Sequence, residues 1–507
     1  MWIDSRHQEA IERAALSIRH NMKKVSGDHW RPNYHISTEA FWMNDPNGFS
    51  TFKNEYHLFY QHHPYSAEWG PMFWGHVKSE DLVFWEHLPI ALAPSEDYDL
   101  DGCFSGSTIE KDGFLYALYT GNVWTGNDQD TDLRQTQCLA VSEDGVHFNK
   151  SSKNPVISSA PNGDIHPHHF RDPKMWKHGD DYYCVVGSRT KDQQGQALLY
   201  RSKDLIDWHF MNVMAKSDGQ LGYMWECPDF FHLDGQDVLM ISPQGMKPKD
   251  YRYHNLHQAG YIQGKLDYET GMFSHGDFRL LDYGFDFYAP QTIQDFQGRR
   301  IMVAWMAMWE SEMPEQKNNW AGAMTIPREL TIQDNEIISN PILEIEKLRE
   351  NAVQYKNITV EGEHTFNQIS GDSYELEVII DAQASLTFGV KVRKSEALNQ
   401  ETLLMYNRAE SLLELNRDRS GSGPKGSRVV PVKLHDNKLC LRIFIDKSSI
   451  EVFINNGEKV MSARIYPDQT AKGISFFSEK EITLIKFQKW DLNKSVSNGS
   501  IEGNSSS

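Results

Sequence analysis

Short apolar runs at a steady interval dominate the middle of the chain. Residues 56–61, 114–119, 182–186, 238–241 and 300–305 are rich in aromatic and branched side chains and are bounded by Gly, Asp and Asn. That is the pattern of strands closed by turns. A phrase keeps time with them. Ser79-Glu-Asp81-Leu-Val-Phe-Trp85 returns as Ser142-Glu-Asp144-Gly-Val-His-Phe148, as Ser202-Lys-Asp204-Leu-Ile-Asp-Trp208 and, in degenerate form, as Leu266-Asp267-Tyr-Glu-Thr-Gly-Met-Phe273. The successive aspartates are 63, 60 and 63 residues apart. Units of about 60 residues with several short strands each, five times over, predict a five-bladed β-propeller. A run of βαβ units is the alternative, but the intervals carry no long helical period.

The flanks have other patterns. Ile11, Ala14, Ala15, Ile18 and Met22 recur at helical spacing behind Ser5-x-x-Gln8, which resembles a capping box, so residues 1–30 read as a short N-terminal helical extension. The repeat region spans 31–335. Asn340-Pro341 then predicts a cap and first turn for a linker helix within 336–355. Residues 356–492 lose the beat but keep strands, including 439–446 and 450–457 with an Asn456-Gly457 hairpin turn, and predict a C-terminal β-sandwich. The Ser/Asn/Gly-rich stretch 493–507 reads as a disordered tail. The expected fold class is therefore all-β.

Composition narrows the partners. The 507 residues hold 51 Lys+Arg against 70 Asp+Glu, a formal net charge of −19. A nucleic-acid binder needs a basic footprint, and an anionic membrane surface needs one too, so neither is expected. The longest apolar run, residues 301–309, falls far short of the roughly 20 residues of a membrane span. The five cysteines are odd in number and form no C-x-x-C pair, and the charged N-terminal segment has no apolar signal region. Free thiols and a cytoplasmic location are the expectation.

Several motifs carry no chemistry. Gly421-Ser-Gly423-Pro-Lys-Gly426 is interrupted by Pro and followed by a strand, against the dinucleotide fingerprint. Asp97-x-Asp99-x-Asp101-Gly102 opens like a calcium loop, but its twelfth position is Thr108 instead of Glu. His166-Pro-His168-His169 has no partner cluster and reads as a polar loop beside a site. No metal and no cofactor are expected, and no G-x-S-x-G nucleophile elbow occurs.

What remains is acidic. Each repeat opens on an unusual phrase: Trp42-Met-Asn-Asp45-Pro-Asn-Gly48, Cys103-Phe-Ser-Gly-Ser107, Phe170-Arg-Asp172-Pro-Lys174, Trp225-Glu226-Cys-Pro-Asp229 and Tyr288-Ala-Pro-Gln291. Equivalent positions in successive blades would aim Asp45, Asp172 and Glu226 into one channel mouth. Crowded carboxylates push at least one pKa upward. Two carboxyl groups of opposed protonation are what glycoside hydrolysis needs, one to attack the anomeric carbon and one to protonate the leaving oxygen. Trp42, Trp69, Trp74, Phe104 and Trp225 could face a sugar ring, with Asn44, Gln61 and Arg171 on its hydroxyls. Cys103 and Cys227 adjoin these motifs, which marks them for thiol-reagent sensitivity without implying a thiol mechanism.

Over residues 30–490 the chain resembles glycoside hydrolase family 32, the β-fructofuranosidases, because W-M-N-D-P-N-G, F-Y-Q, F-S-G-S, F-R-D-P-K and W-E-C-P-D occur in that family's order. The resemblance implies a five-bladed propeller followed by a β-sandwich and a retaining mechanism. Asp45 would be the nucleophile, Glu226 the acid and base, and Asp172 the stabiliser of the transition state. Asn44, Gln61, Trp69, Phe104 and Ser105 would line the fructose pocket. The implied activity is hydrolysis of sucrose or sucrose 6-phosphate to fructose and glucose or glucose 6-phosphate, with a fructan exo-hydrolase or a fructosyltransferase sharing the same residues. A sugar-binding propeller without catalysis is the reading from another class. A 6-phosphate would call for a basic rim, for which Lys247 and Arg252 are candidates. The sandwich would bury a propeller edge, with a homo-oligomer contact as its second use.

Overall fold

A computed structural model describes residues 5–497. The chain is all-β, a β-propeller followed by a β-sandwich-like sheet, with one α-helix at the start. Sheet I holds Phe41–Phe52, Glu55–His63, Phe73–Ser79 and Trp85–Leu92. Sheet II holds Gly102–Lys111, Phe114–Trp124, Leu133–Ser142 and Phe148–Lys150. Sheet III holds Phe170–His178, Asp181–Arg189, Gly195–Ser202 and Trp208–Lys216. Sheet IV holds Met224–Leu233, Gln236–Gln244, Gly260–Asp267 and Met272–His275, with Arg279–Leu280 beside its third strand. Sheet V holds Tyr288–Gln294, Arg300–Trp305, Arg328–Gln333 and Glu336–Pro341. The first strand of each sheet packs against the first strand of the next, and that of sheet V returns to sheet I. The first strands thus form the inner ring.

The repeated phrase has a structural job. In sheets I to III it is the turn between the third and fourth strands. Ser79, Ser142 and Ser202 donate to Oδ1 of Asp81, Asp144 and Asp204 at 3.2, 3.0 and 3.0 Å. The same Oδ1 atoms accept the backbone N–H groups two and three residues on, at 2.8–3.0 Å. An aspartate that completes its own turn in this way is needed wherever the strand reverses, which is why the phrase recurs. Asp267 repeats the device in sheet IV, accepting from Glu269 and Thr270 at 2.9 and 3.3 Å.

The helix Ser5–Val25 lays Ala10, Ala14, Ile18 and Val25 against Phe41, Phe73, Ile90 and Trp320. Its expected capping box is not formed. Ser5 already lies in the helix, and Gln8 Nε2 donates forward to Glu12 at 3.1 Å. Among the described residues no helix is long and apolar enough to cross a membrane.

Two expected boundaries move. The repeat runs past residue 335, because Glu336–Pro341 pairs in sheet V; Asn340 and Pro341 are strand residues, and Asn340 Nδ2 donates to Asn456 O at 2.9 Å instead of capping a helix. The linker is a 3₁₀ helix, Leu343–Leu348, and the sandwich strands begin at Arg349. The strand Gly473–Leu492 then bridges two layers, pairing with Thr387–Ser395 through its first residues and with Tyr374–Asp381 through its last. Their facing sides bury Leu376, Val378, Val390, Leu404, Ile443, Phe476 and Phe487. The Asn456-Gly457 turn is present, with φ of 58° and 85°. Residues 493–497 are not loose: Val496–Ser497 pairs in parallel with Trp85 and Glu86, while the rest of the expected tail lies outside the described residues.

Candidate active site

A prolyl residue, or glycine in sheet II, interrupts each first strand at the same point. The tetrapeptides are Asn44-Asp-Pro-Asn47, Phe104-Ser-Gly-Ser107, Arg171-Asp-Pro-Lys174, Glu226-Cys-Pro-Asp229 and Tyr288-Ala-Pro-Gln291. Proline has no N–H for the ladder, and at each of these points the first strand carries one residue more than its neighbour. In sheet II the glycine is required by space, since a Cβ at Gly106 would sit 2.0 Å from Leu118 O. In sheets I to III the first two side chains of the tetrapeptide line the cavity at the mouth of the ring, and in sheet IV the first, Glu226. The bulges also bend the backbone, with positive φ at Asp172 (67°), Cys227 (45°) and Ala289 (51°).

This phase corrects one expectation. Asp45 and Asp172 are equivalent, but Glu226 stands one position earlier, level with Asn44 and Arg171. Cys227 occupies the place of the aspartates. Its backbone N–H donates to Asp172 Oδ2 at 2.9 Å, and its Sγ lies 3.3 Å from Asp45 Oδ2 and 3.6 Å from Asp172 Oδ2. The fourth residues knit the ring beneath the site. Lys174 Nζ donates to Asp229 Oδ2 at 3.1 Å, Gln291 Nε2 to Gly106 O at 2.7 Å, and Ser107 Oγ accepts from Met175 N at 2.9 Å.

The three carboxyl groups line one cavity of about 340 Å³ with Asn44, Gln61, Trp69, Phe104, Ser105 and Arg171. Asp45 accepts from Asn44 Nδ2 at 3.1 Å and Ser105 Oγ at 3.0 Å. Burial, and then the Glu226 charge, push its carboxyl up to about 6 in spite of these donors. Burial also lifts Asp172 to about 7, with Arg171 opposing and Glu226 and Asp45 adding to the rise. Glu226 goes the other way. Burial would raise it, but Arg171 (Nε at 3.1 Å and Nη2 at 2.8 Å on Oε1) and the Tyr288 hydroxyl (2.6 Å on Oε2) outweigh burial and hold it below the usual glutamate range. Gln244 Nε2 gives Oε2 a further bond at 2.8 Å. Glu226 is therefore the strongest acid of the trio, and the two aspartates keep their protons to higher pH.

Three of the aromatic side chains expected at the sugar are elsewhere. Trp74 and Trp225 are fully buried, and their indoles donate to Phe104 O (3.0 Å) and Leu221 O (2.7 Å). Trp42 sits behind the wall, donating to Asn44 Oδ1 at 2.8 Å and stacking on Trp309. Trp42 and Trp225 stand on first strands just before the bulge and Trp74 on the third strand of sheet I, and in each case pleating turns the indole away from the mouth. Trp69, 36% exposed, does reach the mouth, edge-on to Phe104 and to Trp124. The sequence reading missed Trp124, Gln129, Gln135, His169, Gln244, His257, Trp309 and Glu310 on the wall. Only His169 carried a signal, as the end of the polar His loop. Cys103 and Cys227 are buried, and burial pushes both thiols well above their ordinary value, so neither is a thiolate at neutral pH. The Asp97–Asp101 stretch is a turn, with Asp99 buried against Lys150 at 2.6 Å. Among the described residues no group of three or more His, Cys, Asp or Glu is arranged to hold a metal ion.

With this geometry in hand, similarity to known proteins decides the lineage. Residues 35–341 match the N-terminal domain of glycosyl hydrolases family 32, and residues 344–491 match its C-terminal domain. The chain belongs to glycosyl hydrolase family 32. It is a glycoside hydrolase of the β-fructofuranosidase type. A sucrose-6-phosphate hydrolase of Zymomonas mobilis is 42% identical over 93% of this chain and 94% of its own. A raffinose invertase of Escherichia coli is 41% identical over 92% and 95%. Among solved structures, a mutant of a Bombyx mori family 32 β-fructofuranosidase in complex with sucrose is 38% identical, with a TM-score of 0.85 over 96% of this chain and 99% of that one.

Proposed function

We propose that the protein is a retaining β-fructofuranosidase that cleaves sucrose or sucrose 6-phosphate. The observation that carries this reading is the convergence of Asp45, Asp172 and Glu226 on one cavity, in a family 32 chain similar to a sucrose-6-phosphate hydrolase and to a β-fructofuranosidase solved with sucrose. Asp45, ionised, attacks the anomeric carbon of the fructosyl unit. The bond from that carbon to the glucose oxygen breaks, and Glu226 gives the leaving oxygen its proton. Water then attacks the fructosyl ester, Glu226 takes the water's proton, and Asp45 leaves as carboxylate. Asp172 and Arg171 hold fructose hydroxyls, and Trp69 with Phe104 gives the ring an apolar wall.

Arg171 and Tyr288 hold the Glu226 carboxyl low, so its proton for the leaving oxygen comes with substrate binding. Hydroxyls that draw Arg171 toward the sugar weaken its hold on Glu226, and closure of the cavity by the sugar adds desolvation; both raise the carboxyl. The same arrangement restores the carboxylate that the second step needs as a base.

The same reading takes sheets I to V as five blades, supported by the shared inner tetrapeptide and the repeated aspartate turn. It divides the chain into a propeller domain through Pro341 and a sandwich domain from Arg349. Five free cysteines fit a reducing compartment such as the cytoplasm. The test is sucrose hydrolysis followed by product analysis. Asp45→Asn is expected to lower kcat by at least about a thousandfold while the protein stays folded; full activity in that variant would remove Asp45 from the reaction.

A further inference from the structure

The reading above leaves open whether the glucosyl unit carries a phosphate, and the charges around the cavity bear on that choice. Four carboxyl groups line it, Asp45, Asp172, Glu226 and Glu310, against one guanidinium, Arg171. Arg171 is already engaged, with Nε and Nη2 on Glu226. The two histidines of the wall bring no charge. Burial and then Arg171 take His169 down to about 3, and burial lowers His257 despite Glu226 and Glu310 nearby.

The rim continues the pattern. Gln129 reaches the wall from a loop that also carries Asp128, Asp130 and Asp132. Asp130 is paired with Arg189 at 3.0 Å, and that arginine is spent there. Asp128 and Asp132 are held only by neighbouring loop groups, Asp128 Oδ1 accepting from Asp130 N at 2.9 Å and Asp132 Oδ2 from Asp128 N at 3.2 Å. Glu310, also on the wall, is exposed, and its backbone is in the left-handed region (φ 60°) after Trp309, whose ring is stacked on Trp42.

Neither basic side chain expected at the rim lines the active-site cavity. Arg252 lines a separate cavity with Tyr253, Arg279 and Lys459, and Lys247 is not on the wall of the active-site cavity. Trp309 and Glu310 also border a smaller depression with Arg417 and Arg428. Arg417 Nη1 is bound to Asp286 at 2.7 Å; Arg428 spends Nη2 on Asn255 Oδ1 at 2.8 Å and His254 O at 3.0 Å.

We infer that the mouth selects for the uncharged disaccharide, with Glu310 as the specificity-determining residue that turns away a sugar phosphate. The inference rests on the sucrose reading of the same site. A phosphate dianion entering here meets like charge, and among the described residues of the wall it finds no cation besides the engaged Arg171, so its desolvation goes uncompensated. Neutral sucrose pays neither cost.

The experiment compares kcat/KM for sucrose and for sucrose 6-phosphate on the full chain at neutral pH. The expected ratio favours sucrose by about tenfold at low salt, and it shrinks as ionic strength rises from about 0.01 M to about 0.15 M because screening weakens the repulsion. Glu310→Gln is expected to shift the ratio toward the phosphorylated sugar by about threefold, and Glu310→Arg by more. A ratio at or below one overturns the inference while leaving the fructosidase reading intact. A preference for sucrose that ignores both salt and Glu310 overturns it too, since the selection would then be steric. Cleavage of neither sugar overturns the sucrose reading and this inference with it.

Discussion

Burial raises the Asp45 carboxyl from 3.8 to about 6, so the ionised nucleophile is held against the preference of its surroundings. A carboxyl whose folded value is raised stabilises the fold fully below its unfolded value and loses that contribution as pH climbs through the folded one. Asp45→Asn, neutral at every pH, is therefore expected to be more stable than the native chain at pH 7, by roughly 1–3 kcal/mol. The gain should vanish near pH 3.8, and urea denaturation of both proteins at the two pH values measures it. Activity should bear the same mark. The acid limb of kcat/KM for sucrose is expected near pH 6, where Asp45 becomes ionised, and a limb near 4 would show an unperturbed nucleophile.

At the scale of the strand and the turn, sheets I to IV are each held by one aspartate, and all five sheets are opened by one bulge. Asp204 Oδ1 accepts from Ser202 Oγ and from the N–H groups of Ile206 and Asp207. Asp204→Ala leaves those donors to water and is expected to cost about 1–2 kcal/mol, read as a lower urea midpoint with kcat on sucrose unchanged. The turns were legible in the sequence because only an Asp with a Ser before it makes this set of bonds, so the phrase survives in the letters. The bulges were half legible. Proline marked where each first strand breaks, but the side chain thrown toward the mouth depends on the extra residue. Hence Asp45 and Asp172 share a phase and Glu226 does not, and Trp42 and Trp225, just ahead of their bulges, face away from the mouth. The far wall was not legible at all. Gln129, His257 and Glu310 all come from the connection between the second and third strands of their sheets, but those connections share no phrase in the letters, so nothing announces them.

The two halves of the molecule are joined by a buried charge network that no local pattern contains. His35, ahead of the propeller, places Nδ1 2.9 Å from Asp446 and Nε2 2.8 Å from Glu451, both on sandwich strands. Arg328 of sheet V also binds Glu451, and it reaches Asp282 at 3.0 Å. Burial opposes a charge on His35, but the two carboxylates outweigh it and raise the imidazole to about 8. For a base raised in this way the stabilisation is complete below the unfolded value of 6.5 and is lost as pH rises through about 8. Thermal stability is thus expected to fall across that window, and the fall should be absent in His35→Gln, whose stability is lower and flat over the same range. Scanning calorimetry at several pH values reads both.

The short pairing of Val496–Ser497 with Trp85 and Glu86, with Ser495 N–H on Asn33 O and Ser495 O accepting from Trp85 N–H, bears on how the chain is made. A ribosome releases sheet I some 400 residues before the segment that covers its outer strand. At synthesis speeds of about 5–20 residues per second, that edge waits tens of seconds, unpaired and open to a stray strand. Until then the element already made that packs on this outer strand is the charged N-terminal helix, which gives that helix a protective part during synthesis as well as a place in the finished fold.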